Sequence, residues 1–448
     1  MHNRTEQFLN DPVFPLLIRM SAPNTIAFFI QAIVVLAEVW FISKLGTTSL
    51  AAVALAFPVI MLTQQMAFGA LGGAVTSSIA RSLGAEDKER AEKLLWHSLL
   101  LSCCGYLLFF LIFIIGGENL LMALGGEGLL LEESLLYIKI FLTGAIFIWL
   151  SGTLSAALRG IGNMRFPALL MIAGSGIQVI LAGGLILGWF GLPKLGIIGA
   201  PLSAISVAAL MAIVMILKFM HSSSNVQLKL SNLSFKKELF RDIFNVALPA
   251  SLAPIFTVGT ILILTGLVGQ FGVSALAGYG IGSRIEFLMI PLVFGIGTAM
   301  TTMVGTNIGA KKVERAERIG WLGGSFAGLF SGMIGLILII SSSYWINFFA
   351  TDQATYEVTK QYIEIVGLCF TFQGLGLSLY FASQGANAMK WPIIATVIRI
   401  VVAALGGWIA VNWLSNGIAG VFYAAASAMT IYGVMLVLSL KLGAWRSN

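Results

Sequence analysis

The sequence predicts an all-α polytopic membrane protein with twelve transmembrane helices, arranged as two like-oriented six-helix lobes. The first reason is composition: 58% of the 448 residues are hydrophobic and 10% are charged, whereas a soluble protein carries roughly 25% charged residues. The second is a set of twelve apolar runs, each long enough to cross a bilayer, which takes about 20 residues as a helix. The third is an internal duplication of the chain.

Each half holds six predicted spans, bounded by charged residues and by clusters of Gly, Pro and Asn. The first half gives 13–42, 48–80, 91–115, 133–158, 166–188 and 197–219. The second half gives 240–269, 274–308, 317–341, 356–383, 392–413 and 418–440. The first two spans of each half exceed one crossing, so we expect them to tilt or to protrude from the bilayer. Prolines inside spans are expected to bend them: Pro23, Pro58, Pro249, Pro254 and Pro291.

The duplication is visible in short motifs that return 225 residues later. The segment Gly84 to Trp96, GAEDKERAEKLLW, returns from Gly309 to Trp321 as GAKKVERAERIGW. The pair Tyr137-Ile138 returns as Tyr362-Ile363 at the same offset. A duplicated chain embedded in a membrane is typical of secondary transporters, whose binding site lies between the repeats.

The basic residues predict the orientation of the chain. One set of alternating loops, together with both termini, carries most of the Lys and Arg residues, and the opposite loops hold little more than Lys44, Lys194 and Lys360. By the positive-inside rule both termini are expected in the cytoplasm. Because each half has an even number of spans, the halves share one orientation and are related by an axis along the membrane normal.

These observations predict three regions and exclude several functions. We expect an N-terminal lobe at 1–220, a polar cytoplasmic linker at 221–239 and a C-terminal lobe at 240–448. The net charge of +7 does not indicate a nucleic-acid partner, since no long basic run contains interleaved aromatic residues. The sequence shows no metal cluster, phosphate-binding loop or nucleophile–base arrangement, so we expect neither an enzyme nor a cofactor.

Ionisable groups inside the spans are the candidates for ion coupling, because burying one in a membrane costs from about 3 kcal/mol upward. Asn24, Gln31 and Glu38 recur every seven residues and therefore share one face of the first helix. We expect Glu38 to take up a proton from outside and to release it inside. The alternatives are a glutamate that is hydrogen-bonded within the bundle or one that reaches the outer interface. For His97, a proton relay and a structurally satisfied interfacial histidine are both open.

Further charged residues in the spans have two interpretations each. Arg284 and Glu286 are two residues apart, so they point to nearly opposite sides of a helix. Glu286 is either a substrate-facing or second coupling carboxylate, or part of a buried structural pair, for instance with Arg399. Lys139 and Glu364 occupy equivalent repeat positions with opposite charge. They either meet as an outer gate or lie solvated near the outer mouth.

Three motifs resemble the MATE family (multidrug and toxic compound extrusion). They are Leu45-Gly46 with Leu50-Ala51-Ala52, the run ALRGIGN from Ala157 to Asn163 before Pro167, and VGTNIGA from Val304 to Ala310. The resemblance covers nearly the whole chain. It implies two six-helix lobes around a V-shaped cavity, and the extrusion of amphipathic, often cationic compounds against proton or sodium entry.

The chain departs from the family pattern at its charged positions. Many members carry Asp at the position of Glu38. Some branches place Asn and Asp in the fifth span, where this chain has Gln178 and Ala182. Another branch uses a Glu and an Asp at the positions of Thr257 and Gln373. Gln178 and Gln373 therefore join Glu286, Arg284 and Arg399 as candidates for substrate binding or a second coupling role.

The predicted function is a monomeric antiporter of a prokaryotic inner membrane that exports amphipathic or cationic small organic compounds. Its partners are these compounds and membrane lipid, and its coupling ion is H⁺ in preference to Na⁺, since Na⁺ prefers several oxygen ligands. One alternative is a flippase for lipid-linked oligosaccharide, which predicts a cationic cavity. Only Arg284 and Arg399 supply positive charge deep in the spans. The other alternative is an uncoupled channel or receptor.

Overall fold

The computed structural model describes residues 4–221, 226–286, 289–347, 349–350, 352–414 and 417–446. Within these ranges the regular secondary structure is helical and no strand is found. Twelve of the described helical segments are long and apolar enough to cross a membrane. The predicted all-α class with twelve spans is therefore confirmed.

The helices of the first half are α1 Arg4–Asn10, α2 Val13–Ser43, α3 Thr47–Gln64, α4 Gly72–Gly84, α5 Lys88–Ala123, α6 Gly128–Gly160, α7 Arg165–Leu187 and α8 Gly199–Met220. A π-helical turn, Gln65–Leu71, joins α3 to α4. Those of the second half are α9 Lys237–Gly269, α10 Val273–Glu286, α11 Ile290–Gly309, α12 Val313–Ile340, α13 Ser342–Ile346, α14 Gln353–Val366, α15 Phe370–Gly385, α16 Lys390–Asn412 and α17 Gly417–Lys441.

Two predicted limits in the first half are wrong. The third span was expected to end at 115, but α5 continues to Ala123. The fourth was expected to begin at 133, but α6 begins at Gly128. Glu118, Glu132 and Glu133 interrupt the apolar pattern without interrupting the backbone hydrogen bonds, so the helices extend beyond their apolar stretches.

Pro291 lies at the start of a helix rather than inside one continuous span, and the bend expected there stays a prediction. Pro291 lies in the first turn of α11, where the missing N–H group has no helical partner to lose. The preceding helix α10 ends at Glu286, and residues 287 and 288 of the predicted span lie outside the described part of the chain. Pro23, Pro58, Pro249 and Pro254 do lie inside helices.

The chain divides into two compact units. The N unit comprises Ile26–Ala247, and the C unit comprises Met1–Thr25 together with Leu248–Asn448. Both boundaries fall inside helices, in α2 and in α9. The predicted lobes and linker remain predictions, and four residues of that linker, 222–225, lie outside the described ranges.

Helix α1 belongs to the C unit because its C-terminal carbonyl groups are held there. Asn307 Nδ2 and Arg315 Nε donate to the Phe8 carbonyl oxygen at 3.1 and 3.2 Å. Arg315 also donates to the Asp11 carbonyl oxygen. Positive side chains at a helix C-terminus are favourable, since the last carbonyl groups have no partner within the helix.

In the N unit, α4 and α6 pack closely through a threonine and a glycine. Thr76 Oγ1 donates to the Ala156 carbonyl oxygen at 2.9 Å. A Cβ atom added to Gly160 would lie 2.9 Å from the Thr76 carbonyl oxygen. This position therefore has no room for a side chain.

The same contact recurs in the C unit between α11 and α15. Thr301 Oγ1 donates to the Phe381 carbonyl oxygen at 2.9 Å, and a Cβ atom on Gly385 would lie 2.5 Å from the Thr301 carbonyl oxygen. All three residues stand 225 positions after their counterparts. The two halves of the chain therefore repeat each other in helix packing as well as in sequence.

The repeated glutamate of the ERAE motif also has one role in both units. Glu92 accepts hydrogen bonds from Gln227 N at 3.2 Å and from Asn232 Nδ2 at 2.6 Å. Glu317 pairs with the Arg446 guanidinium through two bonds of 2.7 Å. Each glutamate thus anchors the segment that follows the last long helix of its half.

Candidate functional site

The first polar cluster lies in the N unit around Glu38 of α2. Gln178 of α7 donates from Nε2 to Glu38 Oε1 at 2.8 Å. The Ser203 hydroxyl of α8 also contacts this carboxyl group, and Tyr137 of α6 is an electrostatic neighbour. Gln178, Ser203 and Tyr137 are all buried. Four helices therefore enclose a single carboxyl group among polar partners.

The oxygen atom of the Ser203 hydroxyl group is free to accept a hydrogen bond. Its own proton is donated to the Ala200 carbonyl oxygen at 2.7 Å. Glu38 thus faces one donor, the Gln178 amide, and one potential acceptor, the Ser203 oxygen. A carboxylate accepts hydrogen bonds only, whereas the protonated acid also donates one. The cluster offers a partner to both forms.

A second hydrogen bond joins the same two helices on the side toward Gln31. Ser175 Oγ of α7 donates to Gln31 Oε1 of α2 at 3.1 Å. Gln31 and Gln178, both predicted as site residues, therefore lie in one polar row with Glu38.

Asn24 does not join this row. It is buried in the C unit, where its Nδ2 atom donates to Thr298 Oγ1 of α11 at 3.3 Å. Fourteen residues separate it from Glu38, which is about 21 Å along a helix. The shared helix face predicted for Asn24, Gln31 and Glu38 is thus divided between the two units.

The second cluster lies in the C unit around Glu286 at the end of α10. The Tyr362 hydroxyl group of α14 donates to Glu286 Oε2 at 3.1 Å. The Tyr362 ring packs edge-on against Tyr279 and Phe422, with centroid distances of 5.5 and 5.1 Å. These ring contacts fix the position of the Tyr362 hydroxyl group, which in turn holds the Glu286 carboxyl group.

Arg399 of α16 supplies the positive charge of the C-unit cluster without a direct ion pair to Glu286. Its Nη2 atom donates to Thr257 Oγ1 at 3.1 Å, and its guanidinium lies 5.3 Å from the Tyr432 ring centroid. The ion pairs found among the described residues do not include Glu286 with Arg399. The two interact electrostatically, but the predicted buried pair is not a contact pair.

The other predicted residues lie apart from these contacts. Arg284 is exposed, on another side of α10 from the Tyr362-facing Glu286. Gln373 of α15 has a buried Oε1 atom for which no hydrogen-bond partner is found in the described part. Lys139 in the N unit and Glu364 in the C unit are both exposed. Their role as a gate remains a prediction.

His97 is satisfied by backbone groups on both sides of its ring. Nδ1 lies 2.7 Å from the Lys93 carbonyl oxygen, and the Lys236 N–H group donates to Nε2 at 3.1 Å. This pattern fits a neutral ring with its proton on Nδ1. Of the two interpretations of His97, the contacts favour the structural one.

Sequence reasoning missed the tyrosine partners of the two carboxyl groups, although a signal was present. Tyr137 and Tyr362 are equivalent repeat positions. Each lies beside the glutamate of its own unit. A polar aromatic residue repeated in an apolar chain could therefore have been included among the candidates. The described residues contain no group of three or more His, Cys, Asp or Glu side chains that could hold a metal ion.

The described residues contain twelve candidate membrane helices in two units with equivalent contacts, and each unit holds a carboxyl group among polar partners. These features are typical of the class of duplicated multi-pass membrane transporters. The profile of the MatE family matches one segment of each half, residues 23–182 and 249–409. The chain therefore belongs to the MatE family of multidrug efflux transporters, and the resemblance inferred from its motifs is confirmed. Members of this family are transporters and not enzymes.

Individual relatives are similar over nearly their full length. The FAD transporter of Shewanella oneidensis is 26% identical over 444 residues, covering 95% of this chain and 94% of that protein. The multidrug export protein MepA of Staphylococcus aureus is 26% identical over 438 residues, covering 95% of both chains. A solved outward-facing multidrug resistance MATE family transporter superposes with a TM-score of 0.90 at 23% identity, covering 100% of this chain and 99% of that one. The structural likeness concerns the fold.

Proposed function

We propose that the protein is a secondary antiporter that exports amphipathic, cationic organic compounds in exchange for protons by alternating access. Glu38 is the proton-carrying group in this proposal. The observation that supports it best is the N-unit cluster, in which Gln178 and Ser203 offer a donor and an acceptor to one carboxyl group.

The cluster suits a group that changes its charge inside a membrane. An ionised carboxylate away from water is costly, and protonation removes that cost. The Gln178 amide stabilises the carboxylate, and the Ser203 oxygen can accept from the acid. Neither the Glu38 carboxylate nor the protonated acid leaves Gln178 or Ser203 with an unsatisfied hydrogen-bonding group. The proton can therefore be taken up and released without rearrangement of these side chains.

Proton coupling is favoured over sodium coupling by the chemistry of the partners. A sodium ion requires several oxygen ligands at once. Beside Glu38, the Gln178 amide presents nitrogen to the carboxyl group, and among the described residues the cluster contains one carboxyl group. One proton needs only one carboxyl group.

The charge of the substrate follows from the change of charge at Glu38. When Glu38 is deprotonated, the cluster is negative and favours a cation, and protonation removes that attraction. Each ligand then shifts the balance between inward- and outward-open states by its differential affinity for the two. We place the protein in the inner membrane as a monomer with both termini in the cytoplasm, in accord with the charge bias of its loops.

Export of an anionic, nucleotide-like compound is the second candidate. The S. oneidensis relative is named an FAD transporter. In the C unit, the Arg399 guanidinium over the Tyr432 ring combines a positive charge with an aromatic face. Arginine suits phosphate groups and stacks on flat rings.

Purified protein in liposomes distinguishes these possibilities. With an imposed gradient of one pH unit, worth about 1.4 kcal/mol, one-for-one exchange concentrates a fluorescent cationic dye up to about tenfold. We expect this accumulation from the wild type and its loss in Glu38→Gln, which keeps the size and hydrogen bonding of the side chain. The control Glu118→Gln changes an exposed carboxylate on α5 and should transport normally.

Three results would contradict the proposal. Accumulation by Glu38→Gln at the wild-type level would remove Glu38 from coupling. Dye movement driven by a sodium gradient alone would replace the proton by sodium. Uptake of FAD but not of the dye under the same pH gradient would favour the second candidate.

A further inference from the structure

A cavity of about 220 Å³ lies in the N unit between residues 96–103 of α5 and the segment 233–240. Trp96, Leu100 and Cys103 form its wall on α5, and Phe235 and Phe240 form the opposite wall. The wall is almost entirely apolar. An apolar cavity of roughly 150 Å³ is enough to bind benzene, so this one has room for several carbon atoms of a chain.

Hydrogen bonds between α5 and the segment after α8 hold the two walls of the cavity in place. Trp96 Nε1 donates to the Lys229 carbonyl oxygen at 2.9 Å. The Lys236 N–H group donates to His97 Nε2 at 3.1 Å, and the His97 ring packs edge-on against Phe240 at 4.5 Å. The segment after α8 is thus attached to α5 at Trp96 and His97, two residues that line the cavity.

One polar group in the wall lacks a partner. Ser234 lines the cavity, and its Oγ atom is buried without a hydrogen-bond partner in the described part of the chain. Buried hydroxyl groups are normally hydrogen-bonded, and leaving one unsatisfied is unfavourable. A ligand with an apolar chain and a nearby oxygen acceptor would satisfy this hydroxyl group.

The segment that carries the wall opposite α5 is basic. The segment 226–241 carries four basic residues, Lys229, Lys236, Lys237 and Arg241, all exposed, against one acidic residue, Glu238. Glu89 of α5 pairs with Lys93 and interacts electrostatically with Lys236, which leaves Lys229, Lys237 and Arg241 as the cations of this segment most available to a ligand. Basic pockets beside transmembrane helices recognise anionic lipid headgroups.

We propose that this cavity binds one acyl chain of an anionic phospholipid. The chain lies among Trp96, Leu100 and Phe240, and the headgroup phosphate pairs with Lys229 and Lys237. The Ser234 hydroxyl group donates to an ester carbonyl oxygen between them. The basic segment beside the cavity disfavours the cationic compounds assigned to the transport site, which favours a lipid over a second entrance for substrate.

Native mass spectrometry of the full-length protein tests this site with two lipids of equal chain length, phosphatidylglycerol and phosphatidylcholine. We expect phosphatidylglycerol to be retained under activation that removes phosphatidylcholine. The double variant Lys229→Ala with Lys237→Ala should weaken that retention. Each lysine near an anionic headgroup contributes about fivefold in affinity, so we expect a loss of about 5-fold if one lysine contacts the headgroup and about 30-fold if both do. The control pair Lys390→Ala with Lys441→Ala removes two exposed charges elsewhere and should retain the lipid.

A cavity-filling variant tests the apolar part independently of charge. Cys103→Phe should reduce retention although every lysine is kept. A phosphatidylglycerol probe with a diazirine in its acyl chain should crosslink to peptides covering 96–103 or 233–240 in the wild type and lose that crosslink in Cys103→Phe. Equal retention of both lipids, equal loss in the control pair, or crosslinks only at other sites would overturn the proposal.

Discussion

Replacing Gln178 with leucine removes the amide that donates to Glu38 Oε1 at 2.8 Å. A hydrogen bond to a charged group contributes about 1.5–3 kcal/mol. The carboxylate loses this stabilisation, whereas the acid keeps the Ser203 oxygen as its acceptor. Protonation of Glu38 should therefore be favoured by roughly that amount, which corresponds to about 10-fold to 100-fold in proton affinity relative to the wild type.

The assay is displacement of a bound cationic dye from purified protein at a fixed pH where protons compete with it. We expect the apparent dissociation constant of the dye to rise by about tenfold or more in Gln178→Leu. The matched control is Ser175→Ala, three residues away on α7, which removes a neutral hydrogen bond to Gln31 and should leave proton competition unchanged. Unaltered competition in Gln178→Leu, or an equal change in Ser175→Ala, would refute the reasoning.

Three further predictions concern the repeat and the C unit. Glu92→Ala removes the acceptor of two hydrogen bonds, at about 1–3 kcal/mol each, so trypsin should cut the segment after α8 faster; an unchanged cleavage rate would contradict the anchoring role. Gly385→Ala places a methyl group against a backbone carbonyl oxygen and should lower the thermal midpoint by the equivalent of about 1–3 kcal/mol, whereas Gly280→Ala, with open space around it, should not; equal midpoints would contradict the packing argument. Tyr362→Phe removes the donor to Glu286 and should destabilise the protein by about 1–3 kcal/mol while keeping proton-driven transport; loss of coupling would mean that Glu38 is not the only coupling group.

The helices could be predicted from the sequence because apolar length and the motif repeat are local properties. The ends of α5 and α6 could not, since a helix does not stop where its side chains become polar. Glu118 lies within the last turns of α5, where the change of composition suggested a loop. The sequence likewise predicts one span at 274–308, whereas the structure describes two helices there, α10 ending at Glu286 and α11 beginning at Ile290.

The site could be predicted only in part. A seven-residue spacing identifies residues on one face of α2, but it does not say which neighbour each one meets. Gln31 and Glu38 both bond to α7, while Asn24 bonds to α11. Ser203 carries no signal of its own in the sequence, because its role depends on the packing of α8 beside α2. Arg399 and Glu286 have opposite charges, yet Thr257 and Tyr362 are their hydrogen-bond partners.

The exchange of a proton for a cation at Glu38 is tested most directly by proton release at equilibrium. Purified protein in weakly buffered solution with a pH-sensitive dye is mixed with a saturating cationic substrate, at a pH where the wild type is protonated before the addition. We predict release of close to one proton per wild-type molecule and none from Glu38→Gln. Release of the same amount from Glu38→Gln, with substrate binding intact, would contradict the account.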